Sequence, residues 1–402
     1  MNKSKNISNE ETLEKFERFE KLSKKLKVVL LHDWLTGFRG GERVFEVFCE
    51  LFPSAPIHTL IYSKGTTSPI IESPERKIHP SILNKLPNVS KYYRKLLPIF
   101  PIIAQNINID HDTDLIISSS HCVIKGIPKP NLYCKHISYI HSPMRYIYDQ
   151  FDAYFGKESG AGTIQKIVAH MIRGYLQRWD INSNNNVDTL IANSLFVQER
   201  ISTFYKTNSI VINPFVDTKD FDLVKTNFST ENKENYYVMV TAFAPNKRVD
   251  LAIMAFNKLK WPLKIVGEGQ LESTLQQLNT NPNTEFLGNI KRENVVNLLS
   301  KAKALIFPGV EDFGIVPLEA LAAGTPVIAY KKGGVLETLN DEVALFFEEA
   351  TVPSLIQALE YFENNLQKTF ATTEAKNKLF ARASQFSKKN FKEKIMNIIL
   401  YT

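Results

Sequence analysis

The sequence predicts an α/β protein of two domains, each built on a doubly wound parallel sheet. The chain has 402 residues, which is long for a single hydrophobic core, so two domains are expected. Short apolar runs without polar alternation recur in both halves, as in parallel strands that are buried on both faces. The first run is followed by a glycine-containing loop and then a helix, the order found in phosphate-binding Rossmann units.

In the first half, a strand at residues 27–31 is followed by the loop 36–41 and by a helix at about residues 42–52. Further strands with helices between them are predicted at residues 56–61, 115–119, 136–140, 189–192 and 210–212. Residues 1–26 are polar and form a partly helical extension ahead of the first domain. The first domain is therefore predicted to span residues 27–213.

The second half repeats this architecture without repeating the sequence. Asn213 and Pro214 begin a linker, and residues 226–233 are polar apart from Phe228. The second domain is predicted to span residues 214–390, with strands at residues 236–240, 263–266, 285–287, 304–307, 326–329 and 344–347. A last helix at residues 391–400 has an apolar face, which consists of Phe391, Ile395, Ile398 and Ile399.

Composition is that of an ordinary soluble protein, with 44% apolar and 23% charged residues. Cys49, Cys122 and Cys134 lack the spacing of metal ligands, and an odd number of cysteines favours a reducing compartment. The N-terminal residues contain no apolar secretory core. No apolar run approaches the ~20 residues of a membrane-spanning helix. We therefore expect a cytoplasmic protein.

The net charge of +7 belongs to the first half of the chain. Residues 1–210 carry 27 Lys and Arg against 20 Asp and Glu, whereas residues 211–402 carry 22 of each. Between Glu75 and Asp110 there is no acid, and aromatic and aliphatic residues lie among six cations. These cations are Arg76, Lys77, Lys85, Lys91, Arg94 and Lys95.

Such a mixture suits a segment that lies on the anionic inner face of the plasma membrane, or a groove for a phosphate-bearing lipid. We expect Lys91, Tyr92, Arg94 and Lys95 to make this contact with acceptor or membrane. The alternative is a solvated basic face beside a core helix.

Glu311 and Glu319 give the strongest indication of the ligand that this protein binds. A strand at residues 304–308 leads into a helix predicted to begin near Val316, so Glu311 lies in the loop and Glu319 about one turn inside the helix. Both carboxylates and the free N–H groups of the helix can therefore point at one small volume. Carboxylates accept hydrogen bonds from sugar hydroxyls, and a helix N-terminus binds phosphate.

The whole string from Phe307 to Val327 resembles the retaining glycosyltransferases of family 4. Further segments resemble this family in the same order, at residues 32–35, 40–42, 139–146, 192–194, 213–217, 245–250 and 266–269. The resemblance covers about residues 27–400. It implies the GT-B fold, in which two Rossmann-like domains face each other across a cleft and the last helix packs back on the first domain. The most similar subgroup includes mannosyltransferases of bacterial surface polysaccharide assembly.

The resemblance also implies roles for single residues. The implied catalytic residues are His141, Glu311 and Lys247. His141 would face the donor sugar, Glu311 would bind its hydroxyls, and Lys247 with Arg248 would neutralise the leaving diphosphate. The other implied donor-binding residues are Gly40, Gly41, Gly267, Phe313, Gly314, Ile315 and Glu319, of which Glu319 would bind the ribose hydroxyls. His121, at the end of another strand, is a second candidate histidine.

Two features concern how the diphosphate is held. Many relatives carry an Arg a few residues before the phosphate-binding Lys, but the matching stretch here, residues 241–244, has no cation. Residues 110–114 contain a D-x-D pattern, which holds a metal in the other glycosyltransferase fold. Here the pattern precedes a strand instead of following one, so we expect neither a metal nor another cofactor.

Together these features predict retaining transfer of a hexosyl unit from a nucleotide diphospho-sugar, with GDP-mannose as the first choice of donor. The acceptor would be a glycan or a polyprenyl-diphosphate-linked intermediate of surface polysaccharide assembly. Two alternatives stay open: a sugar-nucleotide epimerase of the same architecture, and a membrane-associated assembly subunit without activity. A nucleic-acid-binding protein is disfavoured, because the positive charge comes without groove-reading or stacking motifs.

Overall fold

The computed structural model describes residues 14–149, 151, 163–221 and 233–402. The chain divides into two units, Met1–Ile212 with Lys392–Thr402, and Asn213–Phe391. The division lies one residue from the predicted domain boundary. Nearly all of the polar linker predicted at residues 226–233 lies outside the described residues.

The first unit contains a seven-stranded parallel sheet in the order β3-β2-β1-β4-β5-β6-β7. Its strands are β1 (Val28–Leu35), β2 (Ile57–Tyr62), β3 (Ile78–Pro80), β4 (Leu115–Ser120), β5 (Lys135–Ile140), β6 (Thr189–Ala192) and β7 (Ile210–Val211). The helices are α1 (residues 14–23), α2 (Gly40–Leu51), α3 (Phe100–Gln105), α4 (Thr163–Asn182) and α5 (Leu195–Tyr205). Consecutive residues of β1 and β4 are buried, as expected for strands covered on both faces.

Two elements differ from the sequence prediction. Strand β3 was missed because it is short and contains Pro80, which is tolerated here since β3 is an edge strand. Helix α2 begins at Gly40 and not near residue 42, so the two glycines lie in its first turn. Glu42 accepts a hydrogen bond from the backbone N–H of Arg39 over 2.9 Å, which satisfies a donor at this helix end.

A buried ion pair joins the segment after β4 to the end of α4. Lys125 Nζ lies 3.0 Å from Asp180 Oδ1, and both side chains are almost fully buried. The ammonium group also donates to Ser183 Oγ over 2.6 Å and to Asn184 Oδ1 over 2.9 Å. Burial lowers the pKa of Lys125, although Asp180 opposes this shift. The donors of the ammonium group are thus matched by acceptors, as a buried charge requires.

The second unit contains a six-stranded parallel sheet in the order β10-β9-β8-β11-β12-β13. Its strands are β8 (Tyr237–Val240), β9 (Leu263–Val266), β10 (Thr284–Gly288), β11 (Leu305–Phe307), β12 (Val327–Tyr330) and β13 (Ala344–Phe347). The helices are α6 (Val249–Leu259), α7 (Glu272–Leu278), α8 (Arg292–Lys301), α9 (Ile315–Ala322), α10 (Val335–Thr338), α11 (Val352–Tyr361), α12 (Gln367–Phe370) and α13 (Thr373–Ser384).

The strand order of each sheet reverses between its first and fourth strands in chain order. These are β1 and β4 in the first unit, and β8 and β11 in the second. Ligands of doubly wound sheets bind at the carboxyl ends of the strands beside such a switch point. The topology therefore predicts a ligand site at the carboxyl edge of each sheet.

The last helix, α14 (Lys388–Tyr401), is longer than the predicted 391–400 and continues from the second unit into the first. Within the first unit, Lys392 Nζ lies 3.7 Å from Glu50 Oε2. Ile395, Ile398 and Ile399 line a small void together with Phe48 and Tyr139. The apolar face of this helix thus packs against the first sheet and α2. Among the described residues, no helix combines the length and apolar character needed to cross a bilayer.

Replacing Lys125 with Met should destabilise the first unit, because Asp180 would remain buried without its cation. Breaking a buried pair in this way costs about 3–5 kcal/mol. Denaturant unfolding measures the change. The matched control is Lys129→Met, which removes a more exposed pair with Asp188 and should cost about 0–1 kcal/mol. Equal losses in both variants would contradict the structural role of the buried pair.

Candidate active site

The two predicted acids lie beyond the carboxyl end of β11, at the switch point of the second sheet. Glu311 is in the loop, and Glu319 is the fifth residue of α9, which begins at Ile315, one residue before the predicted start. The side chain of Glu319 is 9% exposed, and that of Glu311 is 17% exposed. The loop and the first turns of α9 therefore hold both acids as the sequence predicted.

Lys247 and Glu311 form an ion pair, with 2.5 Å between Nζ and Oε1. Their loops are in backbone contact, since the N–H of Val310 donates to Asn246 O over 3.1 Å. Gly309 makes this approach possible: a Cβ there would lie 2.5 Å from Asn246 O. The structure thus brings two of the three predicted catalytic residues together.

The loop of Glu311 is also held from its other side. The N–H of Gly334 donates to Glu311 O over 2.9 Å. The backbone of residues 311–313 passes so close to Gly334 that a Cβ there would overlap Asp312 O. The acid-bearing loop is therefore fixed between two neighbouring segments of the second unit.

The N-terminus of α9 offers backbone donors next to the acids. Within the described part of the chain, the N–H groups of Phe313, Gly314 and Ile315 have no backbone acceptor. Gly314 has a φ of +87°, which L-residues rarely adopt, and this dihedral angle explains the glycine. The side chain of Phe313 is buried against Phe386, so only its backbone is available to a ligand.

Glu319 has a cation partner that the sequence analysis missed. Arg292 Nη1 lies 2.8 Å from Glu319 Oε1, and its Nε donates to Asp220 Oδ2 over 2.9 Å. Burial lowers the pKa of Arg292, but Glu319 and Asp220 raise it, and the net shift is upward. No signal in the sequence singled out Arg292, because a cation at the start of an amphipathic helix is usually a solvated surface residue.

Arg248 and Gly267 are engaged within the second unit. Arg248 Nε lies 3.2 Å from both carboxylate oxygens of Asp250, so its charge is already balanced there. The N–H of Gly267 donates to Gly288 O over 2.9 Å. A Cβ at residue 267 would overlap Thr241 O. The local structure thus accounts for Gly267 through packing, and its predicted contact with the donor stays a prediction.

In the first unit, histidines from three strands gather at the switch point. His141 follows β5, and its Nε2 lies 2.7 Å from Ser119 Oγ. The ring centroids of His121 and His32 lie 6.2 Å and 6.5 Å from that of His141. A Cβ on Gly41 would lie 3.7 Å from His141 Nε2, so the first turn of α2 reaches this group. Gly40 begins that turn.

The pKa values of His141 and Glu42 are both lowered in the folded protein, for different reasons. Burial lowers the pKa of His141 well below its usual value, and His121 and His32 lower it further. Burial raises the pKa of Glu42, but the imidazole of His32, whose Nε2 lies 3.7 Å from Glu42 Oε1, lowers it, and the result is about 2. His141 is therefore neutral near neutral pH, whereas Glu42 is a carboxylate.

Asp33 is a buried acid to which no role was assigned from the sequence. Its carboxylate accepts hydrogen bonds of 2.7–2.9 Å from the backbone N–H groups of residues 121–124. His121 Nδ1 lies 3.4 Å from Asp33 Oδ2. Asp33 thus fixes the turn after β4 and the position of His121. An acid inside an otherwise apolar strand was the signal that could have identified it.

The cation-rich stretch between Glu75 and Asp110, here called the basic segment, forms the predicted surface only in part. Lys91, Arg94 and Lys95 are exposed, and Tyr92 is half-buried. Exposed apolar side chains occur in the same stretch, at Ile82, Leu86, Ile99 and Ile102.

Arg76 does not belong to this surface. It is buried and donates to Ala55 O and Cys49 O, each over 2.8 Å. Its grouping with the exposed cations was therefore wrong.

The D-x-D segment lies at the amino ends of β1 and β4, away from His32, His121 and His141. Asp112 pairs with Lys27 Nζ, and Asp114 accepts from the backbone N–H of Lys27 over 2.8 Å. These acids thus bind the start of β1. Among the described residues, no group of three or more His, Cys, Asp or Glu side chains has the geometry of a metal site.

Residues 220–378 match the family of glycosyl transferases group 1. Among curated proteins, the chain is 28% identical over 194 residues to an uncharacterized glycosyltransferase of Methanocaldococcus jannaschii, covering 46% of this chain and 53% of the relative. It is 39% identical over 107 residues to a GDP-mannose-dependent phosphatidylinositol monomannoside mannosyltransferase of Corynebacterium glutamicum, covering 24% and 28%. An O-antigen chain mannosyltransferase of Salmonella typhimurium is 32% identical over 140 residues, covering 32% and 35%. The matches thus span about half or less of these relatives.

Solved structures show the fold of the whole chain. Sucrose-phosphate synthase of Thermosynechococcus elongatus has a TM-score of 0.68 at 18% identity, covering 93% of this chain and 98% of that one. The Anabaena protein HepE, in complex with UDP-glucose, has a TM-score of 0.66 at 16% identity, covering 93% and 100%. The predicted GT-B fold is therefore confirmed, and the group 1 match confirms the resemblance to glycosyltransferases over residues 220–378.

The His141 ring should be neutral at pH 6.5, the usual pKa of histidine, because burial disfavours its charged form. As the pH falls below 6.5, the unfolded chain takes up this proton before the folded chain does. The contribution of His141 to stability is thus complete above pH 6.5 and is lost on acidification. Long-range ¹H–¹⁵N spectra, assigned with His141→Gln, measure the protonation state. A protonated ring at pH 6.5 in the folded protein would contradict this prediction.

Proposed function

Because its second unit is a group 1 glycosyltransferase domain on a GT-B fold, we propose that the chain is a retaining hexosyltransferase that uses a nucleotide diphospho-sugar. The observation that carries the proposal is the arrangement beyond β11. Two acids, one lysine and the N-terminus of α9 occur together there. This set matches the hydroxyls and phosphates of such a donor.

Each group in the second unit has a chemical task in this proposal. Glu319 accepts hydrogen bonds from the ribose hydroxyls, and Glu311 accepts from hydroxyls of the transferred sugar. The N–H groups at the start of α9 and the ammonium group of Lys247 stabilise the charge that develops on the leaving diphosphate. Lys247 reaches the phosphate by giving up part of its contact with Glu311, which leaves Glu311 free to accept from the sugar.

The transfer step balances without a side-chain base. A bond forms between the acceptor oxygen and the anomeric carbon, on the face from which the diphosphate departs. The bond from that carbon to the diphosphate oxygen breaks, and the acceptor proton moves to the leaving phosphate. His141 orients the donor sugar as a neutral hydrogen-bonding group, which agrees with the lowered pKa of its ring. No metal or other cofactor is needed in this scheme.

The donor and the acceptor are proposed from relatives. GDP-mannose is the proposed donor because the Corynebacterium relative is described as GDP-mannose-dependent. A glycan or polyprenyl-diphosphate-linked acceptor in surface polysaccharide assembly fits the description of the Salmonella relative as an O-antigen chain mannosyltransferase. The relatives reported above give no support to the epimerase alternative.

Nucleotide sugars should stabilise the protein against thermal unfolding, since a ligand at 100 times its Kd adds about 2.7 kcal/mol. A panel of GDP-mannose, UDP-glucose and the free diphosphates identifies the base. Glu319→Ala should abolish the shift, while Glu360→Ala, an exposed acid of the same unit, should preserve it. A shift that survives in Glu319→Ala would move the ribose site elsewhere. No shift with any ligand would favour the non-catalytic alternative.

The basic segment should bind anionic bilayers, because exposed cations and apolar side chains occur together in it. Each cation near such a surface contributes about 1 kcal/mol. Replacing Lys91, Arg94 and Lys95 with Gln should therefore weaken binding to phosphatidylglycerol vesicles about a hundredfold. Replacing Lys21, Lys24 and Lys25 with Gln removes the same charge from another exposed stretch and serves as the control. Equal losses in both triple variants would mean that net charge, and not this segment, drives the binding.

A further inference from the structure

Arg292 connects three parts of the second unit, although no motif includes it. It is the first residue of α8, and its Nη1 lies 2.8 Å from Glu319 Oε1 on α9. Its Nε donates to Asp220 Oδ2 over 2.9 Å, in the turn Thr218–Phe221. The guanidinium carbon lies 5.3 Å from the ring centroid of Phe221. One cation thus contacts two carboxylates and an aromatic ring.

We propose that Arg292 is a positioning residue that fixes the Glu319 carboxylate for the ribose hydroxyls of the nucleotide. This inference rests on the proposed function and adds a residue to its donor site. A glutamate side chain has several rotatable bonds, so an unrestrained carboxylate on a helix samples many orientations. The contact with Arg292 selects one of them. A carboxylate has about four lone-pair sites, so this contact leaves acceptor capacity for a diol.

The surroundings of Arg292 favour a positioning role over direct phosphate binding. Its guanidinium group already faces two carboxylates, Glu319 and Asp220, whose combined negative charge exceeds its single positive charge. Lys247, in contrast, pairs with a single partially exposed acid next to the N-terminus of α9. The planar fork of an arginine can serve two carboxylates at once, which the point charge of a lysine does less well. Arg292 therefore acts on the nucleotide through Glu319.

Asp220 has a subordinate role in this arrangement. It holds the Nε side of the guanidinium group, and Phe221 packs against the same group. Loss of Asp220 would leave Arg292 bonded to Glu319 but less restrained. The proposal therefore predicts that Arg292→Ala weakens ribose recognition more than Asp220→Asn does.

The test compares ligands that differ only in the ribose hydroxyls. Calorimetry measures Kd for GDP and UDP and for their 2′,3′-dideoxy forms, with the wild-type protein and each variant. The wild type should bind one ribonucleotide at least tenfold more tightly than its dideoxy form, because two hydroxyls bond to a charged acceptor. Arg292→Ala should weaken the ribonucleotide about tenfold and change the dideoxy form less than about threefold. The ratio of the two Kd values should thus fall towards one.

Controls separate positioning from a general loss of structure. Arg292→Lys should recover only part of the ratio, and Asp220→Asn should lower it by a smaller factor than Arg292→Ala. Lys291→Ala, at the exposed neighbouring position, should behave like the wild type. If Arg292→Ala does not fold, Asp220→Asn and Arg292→Lys still provide the comparison.

Three results would overturn the inference. Equal weakening of both nucleotide forms in Arg292→Ala would mean that Arg292 binds the phosphate or the base, or only supports the fold. An unchanged ratio in all variants would mean that Glu319 needs no positioning partner. A wild-type protein that binds neither GDP nor UDP would overturn the proposed function and this inference together, whereas binding with an unchanged ratio overturns the inference alone.

Discussion

The close packing of loop backbones at the carboxyl edge of the second sheet determines the candidate site. The N–H of Val310 donates to Asn246 O, and Gly309 has no side chain to keep the two loops apart. On the other side, Gly334 contacts the backbone of Glu311 and Asp312. Lys247 and Glu311 meet because their loops are held in this way. Site geometry here follows from backbone contacts that only glycine permits.

Charge pairing is the second constraint on this region. Glu311 contacts Lys247 and Glu319 contacts Arg292, so both of these acids have a cation beside them. Buried charges need such partners, because their removal from water is costly. In our proposal, a phosphate-bearing ligand competes with Glu311 for Lys247, which links donor binding to the release of an acid for the sugar. In our proposal the Arg292 contact with Glu319 persists, since it orients the acid instead of neutralising the ligand.

The first unit also contains a buried acid whose charge is stabilised, but by backbone donors. The carboxylate of Asp33 is buried and accepts hydrogen bonds from four backbone N–H groups, which take the place of a Lys or Arg partner. These hydrogen bonds fix the turn that carries His121, and the packing around it places three imidazole rings near one another. Burial keeps His141 neutral, which suits a group that orients a sugar more than one that carries a charge. The group 1 glycosyltransferase match covers only the second unit, so the role of these histidines rests on this geometry and on the family resemblance.

The sequence by itself determined the fold class, most strands and the two acids of the candidate site. Buried parallel strands are continuous apolar runs, so β8, β11 and β12 could be located from their apolar composition. The short edge strand β3 could not be located in this way, because its half-exposed residues and its proline do not form an apolar run. Glu311, Glu319 and Lys247 were found because they lie in a long local string or beside a turn. Arg292 and the role of Asp33 were decided only by tertiary structure, because their partners lie 27 residues away in Glu319 and about 90 residues away in the turn after β4. Contacts between residues so distant in the chain depend on how strands and helices pack, and a single sequence carries no local pattern for them.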